Sequence, residues 1–518
     1  NSAWATSATW GAWFVTSVSG VLLGKSRKTD GKLKDAADES SSSSNALELV
    51  TKLAPPIFMV GMFVLLGKLT NWSLSPVPSP AVVPDPFIQW LWTFAVLSII
   101  AVVFSWRLDI NDFSMNTFYR DRLARCYAGA SNPHRRPNWF TGFDIADGAL
   151  RVTHLLPKGW TGLDKKPGCY PGPFPIFCTA INLTTGKDLA YQERKAGSFS
   201  ITPLFSGYST GWTDGTDDTV RYNGFAPTMQ HVKRESGGIT VSSAVAISGA
   251  AASPNMGFHS SMPMAFLMTI FNVRLGWWLR NTRRLTTGGD SPRFGLLNLI
   301  NELRGRTDDT SQYLYLSDGG HFENMGLHEL LRRRCRKIII CDAEADGDLC
   351  FEGIGMAIRK ARLDFGIEIR LKDLPTRLPA KPTESSQPTA EKPSGAEGVL
   401  LFEKFPGNSL HALEGEIIYP ELPDSPGTLL YIKSTLTGDE PADVLNYHRI
   451  HKNFPFDSTL NQFFTESQFE SYRRLGEHIL LEDAHVIGWL DRNQIGTPPV
   501  STIKPVATAE KKADSPQA

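Results

Sequence analysis

The sequence predicts a mixed α/β fold standing behind two or three apolar segments of membrane-spanning character. Two observations predict it. Residues 87–106 (FIQWLWTFAVLSIIAVVFSW) run for 20 positions without a charge. Beyond them, short apolar runs of strand character alternate with amphipathic stretches of helical period. A composition that is 41% hydrophobic and 20% charged excludes a wholly disordered chain.

At about 1.5 Å per residue, the uncharged run 87–106 matches the hydrocarbon thickness of a bilayer, about 30 Å. Trp90, Trp92 and Trp106 lie near its ends, where interfacial aromatics gather. Two weaker candidates precede it. Segment 53–70 is apolar but short, with Pro55 and Pro56 near its start; segment 5–24 is uncharged but rich in Ser, Thr and Gly. Residues 1–106 are therefore expected to anchor the chain in a membrane. Lys25, Arg27, Lys28, Lys32, Lys34 and Lys52 lie between the first two candidates, and Arg107, Arg120, Arg122, Arg125, Arg135 and Arg136 follow the last. Only Lys68 falls in 68–86. The positive-inside rule then puts 25–52 and everything after 107 in the cytoplasm. The Ser run 40–44 reads as a flexible linker.

From 107 to 372 the pattern is α/β. Strands are expected at QYLYL (312–316) and KIIICD (337–342), and helices at NMGLHELLRRR (324–334) and GMAIRKARLD (355–364). Met325, Leu327, Leu330 and Leu331 form an apolar stripe, and Arg332, Arg333 and Arg334 load the last turn, where the macrodipole favours cations. A strand–helix–strand order favours a parallel pair. Residues 373–398, rich in Pro and charge, read as a flexible insertion. Strand signals return at 399–405, 415–420 and 427–436, and a helical stretch at 458–480, so that 399–496 completes the α/β domain. Residues 497–518 read as a disordered tail.

Lys plus Arg equals Asp plus Glu at 53 each, which argues against a dedicated nucleic-acid binder. Six Cys without a CxxC pair exclude a disulfide scaffold and give no zinc-ligand spacing.

The segment richest in chemistry is YLSDGGHFENMGLHELL (315–331). It places Asp318 at a strand's C-terminal end, where open α/β sheets build sites, backed by Gly319 and Gly320 that let the backbone turn tightly and approach another segment. The same three residues also make a common turn.

Asp318-Gly319-Gly320 resembles the Asp-Gly-Gly/Ala motif of the patatin-like phospholipases. The longer run DGGHFENMGLHELLRRRCRKIIICDAEAD is similar to a bacterial, membrane-attached branch of that family, as are DINDFSMNTFYRDRLARCYAGAS (109–131), QERKAGSFSITPLFSGY (192–208), AISGAAASPNMGFHSSMPMAFLMTIFNVRLGWW (246–278) and FPFDSTLNQFFTESQFESYRRLG (454–476). The resemblance implies a three-layer α/β domain and a lipid acyl hydrolase that works on membrane phospholipid or lysophospholipid through a Ser–Asp dyad, without a cofactor. It makes Asp318 the general base, with Gly319 and Gly320 completing the motif. The base activates a Ser hydroxyl for attack on the ester carbonyl, while backbone N–H groups of a Gly-rich loop stabilise the oxyanion.

The family's nucleophile elbow is not matched by this sequence. Ser209 sits in Gly207-Tyr208-Ser209-Thr210-Gly211, but the following WTDGTDDT does not start the helix an elbow feeds. Ser19, in TSVSGVLLG, has Val21 where a second Gly is expected. Ser248, in AISGA, lies in the segment that precedes the Asp strand in patatins. The resemblance therefore places nucleophile and oxyanion loop before Asn1. Two competing readings remain: a membrane scaffold or pseudoenzyme that keeps the fold without a nucleophile, and an α/β-hydrolase-type esterase using Ser209 with an acid and one of His411, His448 or His451 downstream.

Other polar clusters favour ordinary roles. His321, Glu323, His328 and Glu329 lack HExxH spacing. Asp342, Glu344, Asp346 and Asp348 resemble the start of a calcium loop, but Gly353 stands at the twelfth position and the run follows a strand. The Arg332–Arg336 run reads as a solvated helix end that could also attract anionic headgroups.

Overall fold

The computed structural model describes residues 67–68, 86–130, 132–163, 165–209, 224–229, 239–284, 289, 291–347, 349–371, 411–458, 461 and 464–495. The candidate spans 5–24 and 53–70 lie outside these residues apart from Gly67 and Lys68. So do Ser19, the insertion 373–398, the strand expected at 399–405 and the tail 497–518.

The fold is mixed α/β and divides into two compact units, the first reaching Arg333 and taking in 351–360, the second holding 334–350 and the residues from Ala361 on. The division falls inside the 107–372 span expected to be one domain.

The first unit opens with α1 (Pro86–Arg107), the one helix among the described residues long and apolar enough to cross a membrane. Its side chains from Phe87 to Trp106 include many large exposed hydrophobics, and none of the Trp90–Arg107 window is buried. Helix α2 (Met115–Leu123) follows, capped by Ser114, whose side chain accepts from the Asn116 N–H. A six-stranded sheet is built from β1 (Phe177–Asn182), β2 (Ala196–Ile201), β3 (Phe205–Tyr208), β4 (Phe225–Pro227), β5 (Trp277–Arg280) and β6 (Tyr313–Asp318), in the order β4-β3-β2-β1-β6-β5. Every neighbouring pair is antiparallel. The unit's other helices are α3 (Val241–Ser248), α4 (Met262–Ile270), α5 (Gly295–Leu303), α6 (Leu327–Arg332) and the first turns of α7 (Glu352–Phe365).

Alternation along β6 sorts its side chains onto two faces. Leu314 and Leu316 join Ile181, Phe199, Ile201 and Tyr208 in a core closed by Ala244 and Ile247 of α3. On the opposite face Tyr315 packs against Trp278 and Ile110. Both faces are thus covered, and that is why the run gave no alternation that could distinguish pairing direction. The expected parallel pairing of 312–316 with 337–342 does not form: β6 lies antiparallel between β1 and β5, and β7 (Lys337–Asp342) belongs to the second unit's sheet. A strand covered on both faces reads alike in parallel and antiparallel sheets.

The helix expected at 324–334 is shorter, Leu327–Arg332. Glu323 delays it: its carboxylate accepts from the backbone N–H of Met325 and, at 3.1 Å, of His328, holding a turn that ends at Gly326 with φ 65°. Glu329 of α6 is buried and receives Arg332 Nε and Arg333 Nε, each at 2.7 Å. Burial pushes its carboxyl up, but the two guanidinium groups outweigh it and hold the group below its ordinary value. A carboxyl lowered in the folded state contributes stability above the unfolded value, about 4.3, and loses it as pH falls through the folded value. Thermal melts of Glu329→Gln and the parent across pH 2–6 should therefore differ most at the upper end and converge on acidification. A constant gap would refute the assignment.

The second unit holds a four-stranded sheet, β7-β10-β9-β8, from β8 (Glu368–Leu371), β9 (Ala412–Ile418) and β10 (Gly427–Lys433) beside β7; only β7–β10 is parallel. Helices α8 (Ala442–Ile450), α9 (Glu466–Leu481) and α10 (Ala484–Arg492) cover a core around Leu430, Ile432, Phe454, Leu475 and Trp489. The helical stretch expected at 458–480 begins at Glu466, where the Thr465 side chain accepts from the Gln468 N–H.

Candidate active site

Asp318 ends β6, and its Oδ1 accepts the Gly320 N–H at 2.7 Å, so the carboxylate also caps the 3-10 turn Gly319–His321. Alternation places Asp318 on the face of Leu314 and Leu316, the face covered by α3. The register pairs it with Thr179.

Close approach to backbone requires glycine at 319, while Gly320 is crowded by the ends of side chains that can move. A Cβ on Gly319 would lie 2.7 Å from the Cys178 carbonyl oxygen, and one on Gly320 would lie 2.5 Å from Asn324 Oδ1 and 3.2 Å from Asp318 Oδ1. Any side chain at Gly319 would have to push a backbone strand away.

Helix α3 reaches the same place. The Thr240 side chain caps it through the Ser243 N–H at 3.1 Å, and at its far end Ser248 Oγ donates to the Cys178 carbonyl at 2.7 Å. Ser248 and Gly319 thus meet at one carbonyl. The next residue, Gly249, makes room for Tyr119 of α2: a Cβ there would stand 2.8 Å from the phenol oxygen. Burial, then the charge of Asp318, push the Tyr119 hydroxyl above its ordinary value, so it stays a neutral donor on the carboxylate's side of the sheet. Burial also pushes the Cys178 thiol up to about 12, which leaves it an un-ionised, inert neighbour.

Behind the site, on the other face, the Asn182 side chain donates to Ser317 Oγ and Ser317 pairs with His321 Nδ1, both at 2.8 Å, while the Gly257 N–H donates to Asn182 Oδ1 at 2.9 Å. Ser317 is fully buried, so this serine–histidine pair fixes the turn and is closed to a substrate.

Of the candidate nucleophiles, the structure brings Ser248 beside the Asp318 strand and leaves Ser209 away from it. Tyr208, Phe199, Thr179 and Asp318 line up across four strands. Three strand spacings separate Tyr208 from Asp318 by about 14 Å, beyond hydrogen-bond reach of any serine next to Tyr208. The next described element after Ser209 is β4, antiparallel to β3. Ser248 has the opposite defect. It sits at the C-terminal end of its helix, where the macrodipole opposes an oxyanion, and its hydroxyl proton is committed to a carbonyl.

The remaining polar candidates have partners of their own. Glu323 and Glu329 serve the α6 turn and its arginines, Arg334 pairs with Glu421, and Arg336 donates to Ser425. Asp342 and Asp346 face Lys433 at 3.0 and 3.4 Å, a cation where a calcium loop would hold its ion. His448 Nδ1 meets the Phe454 carbonyl at 2.6 Å, and His451 stacks on Tyr447.

Sequence reasoning missed Tyr119 and the approach of Ser248, because nothing local marks contacts made by different helices. It also missed a group in the second unit: His411, Asp439 and His478, whose ligand-type atoms all lie within 4.8 Å of one another.

No protein-family model, no curated protein and no solved structure matches the chain, so the chemistry assigned to Asp318 rests on this geometry and on the sequence motif around it.

Proposed function

We propose that the protein is a membrane-anchored acyl hydrolase acting on lipid esters, with Asp318 as the general base of a patatin-type Ser–Asp dyad in a patatin-like three-layer α/β domain. The observation that carries the reading is the Asp318-Gly319-Gly320 turn at the end of β6, its carboxylate oriented by the Gly320 N–H and Gly319 packed to a Cβ-excluding distance against the backbone of β1. The exposed apolar helix α1 supports the anchor, and the Arg-rich sequence after it supports a cytoplasmic domain. Tethering holds such a site at the surface where its substrate lies and raises the effective concentration without new contacts.

The attacking serine in this reading lies N-terminal to Pro86, as the patatin resemblance implies; Ser209 is too far from Asp318 and Ser248 is at the wrong end of its helix. The alternative of a scaffold without chemistry draws on the same fact. Labelling the membrane-bound protein with a fluorophosphonate, with peptide mapping and an assay on lysophospholipid, distinguishes them. Label N-terminal to Pro86 together with ester hydrolysis is the expected result. Label on Ser209 or Ser248 would overturn the dyad assignment. Neither label nor hydrolysis would leave the scaffold.

A further inference from the structure

We propose that His411, Asp439 and His478 bind one divalent transition-metal ion, zinc by donor type, in the second unit. The inference is independent of the hydrolase reading.

The three residues come from separate elements: His411 immediately before β9, Asp439 in the loop after β10, and His478 on α9. Two imidazole nitrogens and one carboxylate oxygen are a donor set that zinc takes readily. Asp439 Oδ1 lies 3.4 Å from His478 Nε2 and 3.8 Å from His411 Nε2. Donors about 2.0–2.1 Å from a tetrahedral zinc stand about 3.3 Å apart, so the two Asp439 distances need a contraction of at most about 0.5 Å, and the two imidazole nitrogens, within 4.8 Å of each other, one of up to about 1.5 Å. The imidazoles are held for this. Their side chains are 1% and 5% exposed, and the rings meet edge-to-face. The far nitrogen of His478 meets Glu482 Oε2 at 2.9 Å, the carboxylate–histidine–metal relay that fixes a ligand's tautomer. The far nitrogen of His411 faces Thr435 Oγ1 at 3.4 Å.

A second negative charge stands behind the trio. Glu440 is fully buried, with Oε1 3.8 Å from His411 Nε2, and its carboxylate accepts the backbone N–H groups of Thr437 and Gly438. Thr437 Oγ1, 3.1 Å from His411 Nε2, donates to Asp439; an ion would take over that link. Asp439, 68% exposed, gives an approach from solvent. Three protein donors with water as the fourth fit zinc, and the bound ion would clamp the loop after β10 to α9.

The 518-residue chain, stripped with a chelator, is titrated with Co²⁺ and then Zn²⁺. The expected result is one Co²⁺ per chain with the intense visible d–d bands of a tetrahedral site, displacement by Zn²⁺, and a rise in Tm with either ion. Asp439→Asn, a surface replacement that leaves the core intact, should weaken binding about 10-fold or more, and Glu482→Gln by about 10–100-fold. No saturable binding, or binding that Asp439→Asn leaves unchanged, would overturn the proposal. A thiolate-to-cobalt charge-transfer band would likewise overturn it, by assigning the ion to the free cysteines.

Discussion

Asp318→Asn is expected to lower ester hydrolysis at least about 100-fold in kcat with the melting temperature nearly unchanged. The amide keeps the shape and the carbonyl oxygen that accepts the Gly320 N–H, and Asn caps a helical turn about as well as Asp. What is lost is the ability to take a proton. A positioned general base contributes about 10²–10⁴-fold, or about 3–5 kcal/mol of barrier. The competing role is visible in the same hydrogen bond. If Asp318 serves only to hold the Gly-Gly turn, hydrolysis per folded molecule survives the replacement, and any cost appears in Tm. Measuring kcat and Tm on the same preparation separates the two, and an unchanged kcat would refute the base assignment.

How far this site could be read from the sequence follows from the range over which each feature is encoded. Strand β6, the Gly-Gly turn, helices α1 and α7, and strands β9 and β10 are written in contiguous residues, in apolar runs, charge gaps and turn chemistry, and these were legible. Pairing was not. Leu314 and Leu316 bury one face of β6 and Tyr315 the other, so the run carries no period from which a neighbour's direction could be read. The start of α6 was set by Glu323, an acidic residue whose use as a cap for the Met325 and His328 N–H groups depends on the turn around it. The surroundings of Asp318 depend on packing between elements. Tyr119 feels its charge and packs where Gly249 lacks a side chain, and Ser248 bonds the Cys178 carbonyl that Gly319 approaches, placements with no sequence spacing to announce them. His411, Asp439 and His478 were silent for the same reason, since metal-ligand spacing is legible only when ligands share a helix or a short loop.

A comparably large effect is expected away from the site, at the ion pair that joins the stretch after the apolar helix α1 to the first unit's sheet. Arg274 and Glu302 are both almost wholly buried, with Arg274 Nη1 2.7 Å from Glu302 Oε1, and the Trp278 indole N–H donates to the same oxygen at 2.6 Å. Arg274 also donates to the carbonyls of Ile110 and Phe113, the stretch between α1 and α2, while Asn111 exchanges two hydrogen bonds with the backbone of Trp278 in β5. The Leu296 N–H of α5 donates to Ser105 Oγ near the end of α1. One buried charge pair thus organises the exit of the apolar helix, the start of the helix that carries Tyr119, and the edge of the sheet. Burial pushes the Glu302 carboxyl above its ordinary value, and Arg274 and Trp278 pull it back only in part. Removing one partner leaves the other charge buried alone, a loss of about 3–5 kcal/mol where total stability is about 5–15 kcal/mol. Glu302→Ala should therefore shift the urea midpoint strongly, with the slope unchanged if only the folded state is affected. Replacing both partners, Arg274→Met with Glu302→Leu, should recover much of that loss, because the apolar pair removes the stranded charge along with the attraction. If the double variant is as unstable as Glu302→Ala, the stranded charge is not the main cost; the Trp278 indole N–H left without its acceptor in both variants, and the Ile110 and Phe113 carbonyls left without Arg274 in the double variant, account for it instead.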